Sequence, residues 1–204
     1  MSIIPLDRRS VTIASTGIRR SNTRDLNGIL CNTATHQNRK LFFYNCLVAT
    51  VKAFIGAGIV NRIVAFFDND TAARSAMRAL DGLRIPRNVM ITRYPNITVA
   101  CNYPTLGPQG PVNMDINGLA GGIELYFGED ILRSQDGTLT PVQWRGFDEA
   151  LRQYQGEILN KGDLQERFAT KLAACLANRQ QIEDYDWSGI RAILDVLRTA
   201  FHEK

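Results

Sequence analysis

Histidine and paired cysteine are nearly missing from this chain. His36 and His202 are its two histidines, and Cys31, Cys46, Cys101 and Cys175 stand far apart with no CxxC pair. Neither a zinc knuckle nor a disulfide framework is therefore expected. Any metal held here must rest on carboxylates, which select a hard cation. No run approaches the roughly 18 apolar residues of a membrane span, and the opening MSIIPLDRRS lacks the apolar core of a secretory signal. The expected address is the cytoplasm, with no membrane partner. Glutamate is also scarce in one direction, since none precedes Glu124.

With 204 residues, 45% of them hydrophobic and 22% charged, the chain suits one domain with an extension. Residues 1–40 hold seven Lys/Arg against Asp7 and Asp25, whereas the whole chain carries +4, so the basic surplus lies at the start. A basic arm suits phosphate contacts that ignore base sequence, although such a segment is also simply well solvated. TGIRRSNTRDLNG has neither a helical nor a strand period, and residues 1–41 are expected to be a weakly ordered basic segment. From Phe42 the pattern sharpens. NCLVATVKAFIGAG places Leu47, Val48, Val51, Phe54 and Ile55 at helical spacing before Gly56 and Gly58.

IVAFFDND, residues 63–70, is a continuous apolar run of β-formers that ends abruptly in acid, the pattern of a central strand covered on both faces. An Ala-rich helix is expected from Thr71, then a strand in NVMITRYP. Helix, strand, helix, strand implies an α/β fold with a parallel sheet and right-handed crossovers. Residues 95–114, with four prolines, are expected to form a long loop, and INGLAGGIELYFGEDILR a helix. FDEALRQYQGEIL, DLQERFATKLAACLANR and WSGIRAILDVLRTAFHEK are expected to be three amphipathic helices, so residues 42–135 form the α/β domain and 136–204 a helical extension.

Asp68 and Asp70 fall where ligands bind in parallel sheets, beyond the carboxyl ends of the strands. Alternate residues of an extended chain project to one side, so both carboxylates can reach toward Mg²⁺ or Mn²⁺, which asks for oxygen ligands. Asp70 has a second reading, as the cap of the helix starting at Thr71. Asp68 then needs its own explanation, because two acids directly after five apolar residues are costly near a core. The glycines of GLAGG suit close packing of a helix better than phosphate binding, and Trp144, Phe147 and Tyr154 suit a core better than a base-stacking platform.

VKAFIGAGIVNRIVAFFDNDTAARSAMRALDGL, RYP, NYPTLGPQG, MDINGLAGGIELYFGEDIL, DGTLTPVQWRGFDEAL, YQGEILNK and LQERF, in that order, resemble the Toprim (topoisomerase/primase) half of bacterial proteins described as HEPN/Toprim. The resemblance covers about residues 47–170. It implies a compact, Rossmannoid parallel sheet with helices on both faces and a metal-dependent, nuclease-like phosphoryl transfer on DNA or RNA, within a toxin or phage-defence module. An upstream HEPN domain or a second copy of the chain is the implied protein partner. Asp68 and Asp70 match the family's DxD. By the same resemblance Glu124 is the first candidate for a further acid and Asp115 the second; each also has a bland reading, Glu124 as a solvent-facing residue and Asp115 as a turn or cap acid. The family's first strand ends in Glu, for which this chain has no counterpart, and residues 1–46 lack the Arg-to-His spacing of a HEPN motif. The N-terminus thus looks truncated or diverged, and the alternative function is a non-catalytic binding or assembly domain that keeps the fold.

Overall fold

The structure is a computed structural model that describes residues 10–14 and 36–202, with side chains for residues 42–201. It is an α/β fold. A three-stranded parallel sheet sets β2 (Arg62–Phe67) between β1 (Ser10–Ala14) and β4 (Val89–Arg93), with Ala65 opposite Ile13 on one side and Ile91 on the other. The continuous apolar run is explained by this central place. Ile63, Ala65 and Phe67 pack with Tyr44, Leu47, Val48 and Val51 of helix α1 (His36–Gly56) and with Ala72, Ala73 and Ala76 of helix α2 (Thr71–Met77). Val64 and Phe66 face the opposite way, into a core with Tyr94, Tyr103, Ile116, Leu125 and Tyr126. Successive side chains of a strand alternate faces, so one strand, apolar from Ile63 to Phe67, feeds two cores.

Four local expectations are corrected. Within the first forty residues SVTIA is a strand, β1, paired in register with β2; its β-branched residues suit a strand that is stabilised by its partner. Residues 36–41 of that segment already belong to α1, and residues 1–9 and 15–35 lie outside the described residues.

The expected loop at 95–114 contains a 3₁₀ turn, Thr98–Asn102, and a hairpin of β5 (Tyr103–Gly107) with β6 (Gly110–Met114). Pro111 is tolerated because β6 is the edge of the four-stranded sheet β6-β5-β8-β9, where a missing N–H breaks no ladder. INGLAGGIELYFGEDILR is not one helix but β7 (Ala120–Gly121), a 3₁₀ turn at Ile123–Tyr126 and the short helix α3 (Glu129–Leu132). Gly118 and Gly128 adopt φ of +75° and +103°, conformations that end a helix.

FDEALRQYQGEIL is likewise a hairpin of β8 (Val142–Asp148) and β9 (Gln153–Ile158). β8 joins β5 in parallel, Thr105 opposite Val142, which carries the second sheet across residue 135. The core does the same, running from Val64 to Ile193 and Ala200. Helices α4 (Lys161–Ala177) and α5 (Ser188–His202) form where the periodicity places them, so the extension that is wholly helical begins after β9. No helix among the described residues is long and apolar enough to cross a membrane.

Buried Lys171 of α4 ties this end together. Its ammonium donates to the carbonyls of Phe127 (2.9 Å) and Asp186 (2.5 Å), pairs with Asp130 Oδ1 at 3.0 Å, and lies 4.3 Å from the centre of the Trp187 ring.

Candidate functional site

At the carboxyl edge of the parallel sheet, β2 runs into Asp68-Asn69-Asp70. Asp68 is 7% exposed and Asp70 2%. Tyr44, one turn before the apolar stripe of α1, reaches both: its hydroxyl lies 2.7 Å from Asp68 Oδ2 and 3.2 Å from Asp70 Oδ2. The two carboxylates are therefore no farther apart than those two distances together. One phenol has one proton to donate, so a single oxygen marks a point that both anions share. The other oxygen of Asp70 accepts from the Ala73 N–H at 2.7 Å and caps α2. Both readings of Asp70 are met at once, with Oδ1 turned to the helix and Oδ2 toward Asp68.

The sheet holds this edge in place. β3 (Asn69–Asp70) pairs antiparallel with β7, Asn69 opposite Gly121. A Cβ on Gly121 would lie 2.5 Å from the Asn69 carbonyl oxygen, so the GLAGG glycines do serve close approach, but between strands rather than helices. Asn69 Nδ2 donates to Asn96 Oδ1 at 2.9 Å, and Arg93 Nη1 donates to Asn69 Oδ1 at 2.9 Å.

Three phenols stay protonated around the acid pair. Burial pushes the Tyr44 hydroxyl well above the usual tyrosine range, and the charges of Asp70 and Asp68 push it further. Tyr94 is raised by burial and then chiefly by Asp68; Tyr126 is raised by burial, with Asp68 adding to the rise and its hydrogen bond with Asn69 opposing it. Tyr103 is raised by burial first and then by the charge of Glu129.

For a group whose folded pKa is raised, stability is complete below the unfolded value of 10.0 and declines as pH climbs toward the folded one. Above about pH 10 the unfolded chain releases protons that the native state keeps. Each of these four tyrosines then costs about 1.4 kcal/mol per pH unit. Urea midpoints should be flat from pH 8 to 9.5 and fall steeply by pH 11; a midpoint independent of pH over that window contradicts the buried, protonated phenols.

The further acids do not join the pair. Glu124 is 1% exposed, which excludes the solvent-facing reading, but both its oxygens turn to α4. Gln165 Nε2 donates to Oε1 at 2.9 Å, and Lys161 Nζ lies 3.6 Å from Oε2 while also pairing with Glu157 at 3.0 Å. Lys161 and Gln165, four apart on one face of α4, occupy the carboxylate that the resemblance offers to a metal. Asp115 is exposed and accepts both the backbone and the side-chain N–H of Asn117 at 2.9 Å, a turn acid. Among the described residues no third His, Cys, Asp or Glu completes a metal-holding group with Asp68 and Asp70. The structure thus brings neither Glu124 nor Asp115 together with Asp68 and Asp70.

Tyr44 escaped the sequence reading although its spacing to Leu47, Val48 and Val51 continues the helical stripe. The aromatic residues are corrected too. Trp144 packs on the core, but Phe147 and Tyr154 are 42% and 52% exposed, their rings edge to face 5.1 Å apart. They sit beside the acid edge, since the Thr71 hydroxyl donates to the Tyr154 carbonyl at 2.8 Å. Comparison of the chain with family models, with curated proteins and with solved structures finds no match in any of the three.

Proposed function

We propose that this chain is a Toprim-like domain that binds Mg²⁺ or Mn²⁺ through Asp68 and Asp70 and acts on nucleic acid by phosphoryl transfer, with weak chemistry of its own. The observation that carries the reading is the shared point between the two buried carboxylates, at the carboxyl end of the central parallel strand. The donor set fits a hard cation: two oxygen anions side by side, at the edge where parallel sheets place their ligands. Asp68 and Asp70 would hold the ion, which when bound supplies Lewis-acid polarisation of a phosphoryl group and a more acidic water. Tyr44 orients the two carboxylates, and the α2 N-terminus stabilises the charge of Asp70 by hydrogen bond and by helix dipole. Phe147 and Tyr154 offer exposed faces on which bases can stack.

A second reading, a non-catalytic binding or assembly domain, is favoured by the engagement of Glu124 with Lys161 and Gln165 and by a first strand without acid. Calorimetric titration with Mn²⁺ tests the metal site itself: the wild type should bind saturably and the isosteric variant Asp68→Asn about tenfold or more weakly.

A further inference from the structure

We propose that Arg74 and Arg93, with Gly118 between them, form a binding notch for a phosphate oxyanion. Arg93 is the last residue of β4 and Arg74 lies in α2, so both stand at the carboxyl edge that also carries Asp68 and Asp70. A Cβ built on Gly118 would lie 3.7 Å from Arg93 Nη1, 3.9 Å from Arg74 Nη1 and 3.9 Å from Asn69 Oδ1. Two guanidinium groups thus converge on a residue that has no side chain, held at a φ of +75° that favours glycine.

Their partners do not account for the charge. Among the described residues each guanidinium donates one hydrogen bond, Arg74 to Gln153 Oε1 at 2.8 Å and Arg93 to Asn69 Oδ1 at 2.9 Å, and neither has a carboxylate within ion-pair distance. Both acceptors are neutral amides, and each guanidinium has five N–H donors. Holding two half-buried cations side by side costs free energy that neutral partners do not recover. A clamp joining α2, β4 and β9 would be better built with a carboxylate; an oxyanion recovers the cost, and the planar guanidinium matches phosphate with two parallel hydrogen bonds. Burial and the charge of Arg74 both push the Arg93 guanidinium down from its usual range, as the crowding implies.

The site needs neither acid of the DxD and therefore goes beyond the metal reading. Its ligand is a phosphate group, either free or within a nucleic-acid backbone, and the neighbouring β9 residue Tyr154 favours the second. The test titrates the full-length chain, in EDTA so that no divalent metal contributes, with inorganic phosphate and with a single-stranded oligonucleotide of roughly 10 nucleotides. Wild type should bind, and Arg74→Gln and Arg93→Gln should each weaken binding about tenfold or more, since the loss of one charge-assisted bond is worth at least that factor. For the oligonucleotide, each variant should also flatten the slope of log affinity against log salt by about one unit.

Oligonucleotide binding that phosphate displaces assigns the notch to a nucleic-acid backbone; phosphate binding alone assigns it to a free phosphate group, and both support the site. Arg93→Lys keeps a charge beside Asn69 and guards against loss of folding. It should bind phosphate more weakly than wild type and more strongly than Arg93→Gln. Absence of binding of either probe to wild type, or equal affinity in wild type and both glutamine variants, overturns the proposal.

Discussion

Plasmid, single-stranded DNA and RNA incubated with the purified chain and Mn²⁺ should be cut only weakly, and the residual cutting should vanish in Asp70→Ala. β1 lies parallel to β2 with Ala14 opposite Phe66, yet Ser10–Ala14 contains no acid and neither do Ser15, Thr16 and Gly17 after it. Glu124, the acid that the resemblance would recruit from elsewhere, is held by Gln165 and Lys161. A missing ligand or general base lowers such a reaction by about 10² to 10⁴. Placing the acid directly after β1, as Ser15→Glu, should raise the rate by a factor in that range. Robust cutting by the wild type would contradict the importance given to the missing acid. Inactivity of both the wild type and Ser15→Glu would favour the binding module over the enzyme.

The largest expected loss of stability is at Gly128→Ala, far from the acids. Gly128 has φ +103° and ψ 152°, a region that side chains rarely enter, and an added Cβ would sit on the Asp186 carbonyl oxygen and within 3.0 Å of Lys171 Nζ. That carbonyl and that ammonium are partners in the lock joining α4, α3 and the start of α5. Backbone strain and overpacking together should cost about 4 kcal/mol. For a chain of this length the melting temperature should then fall by roughly 10 °C. Gly137→Ala is the control for conformation alone, with φ +82° and open space around the Cβ, and should lose about 1 kcal/mol. Equal losses at the two positions would show that the lock contributes nothing.

What was legible in the sequence follows the strength of local signals. β2 announced itself because no polar residue interrupts Ile63 to Phe67, and α1, α4 and α5 because their apolar residues recur at helical spacing. The β8–β9 hairpin was misread because Leu151, Tyr154 and Ile158 happen to be spaced three and four apart, while the inward alternation of Val142, Trp144 and Gly146 includes a glycine that carries no apolar signal. The β5–β6 hairpin was hidden by its prolines: Pro111 lies on the edge strand β6, and Pro104 lies in β5 just before its pairing with β8 begins at Thr105. In the site, Asp68 and Asp70 were visible because acid directly follows an apolar strand. The partners of Glu124 were not legible, because nothing local reveals that Lys161 and Gln165 pack on it from a helix later in the chain. Arg74 and Arg93 were overlooked for the same reason: each is ordinary on its own element, and only the crossover between α2 and β4 brings them to one glycine.

The proposed role of Asp68 and Asp70 is to hold a divalent cation rather than to serve the core. Titration of Mn²⁺ by calorimetry into wild type and Asp68→Asn, each first shown to be folded, decides it. Asparagine keeps the shape and can still accept the Tyr44 hydroxyl, and removing one of two neighbouring anions relieves their repulsion, so the variant should be at least as stable as wild type without metal. Wild type should bind saturably, and the affinity of Asp68→Asn should be lower by about tenfold or more, a difference of about 1.4 kcal/mol. Equal affinity in the two proteins, or no binding to the wild type, would contradict it.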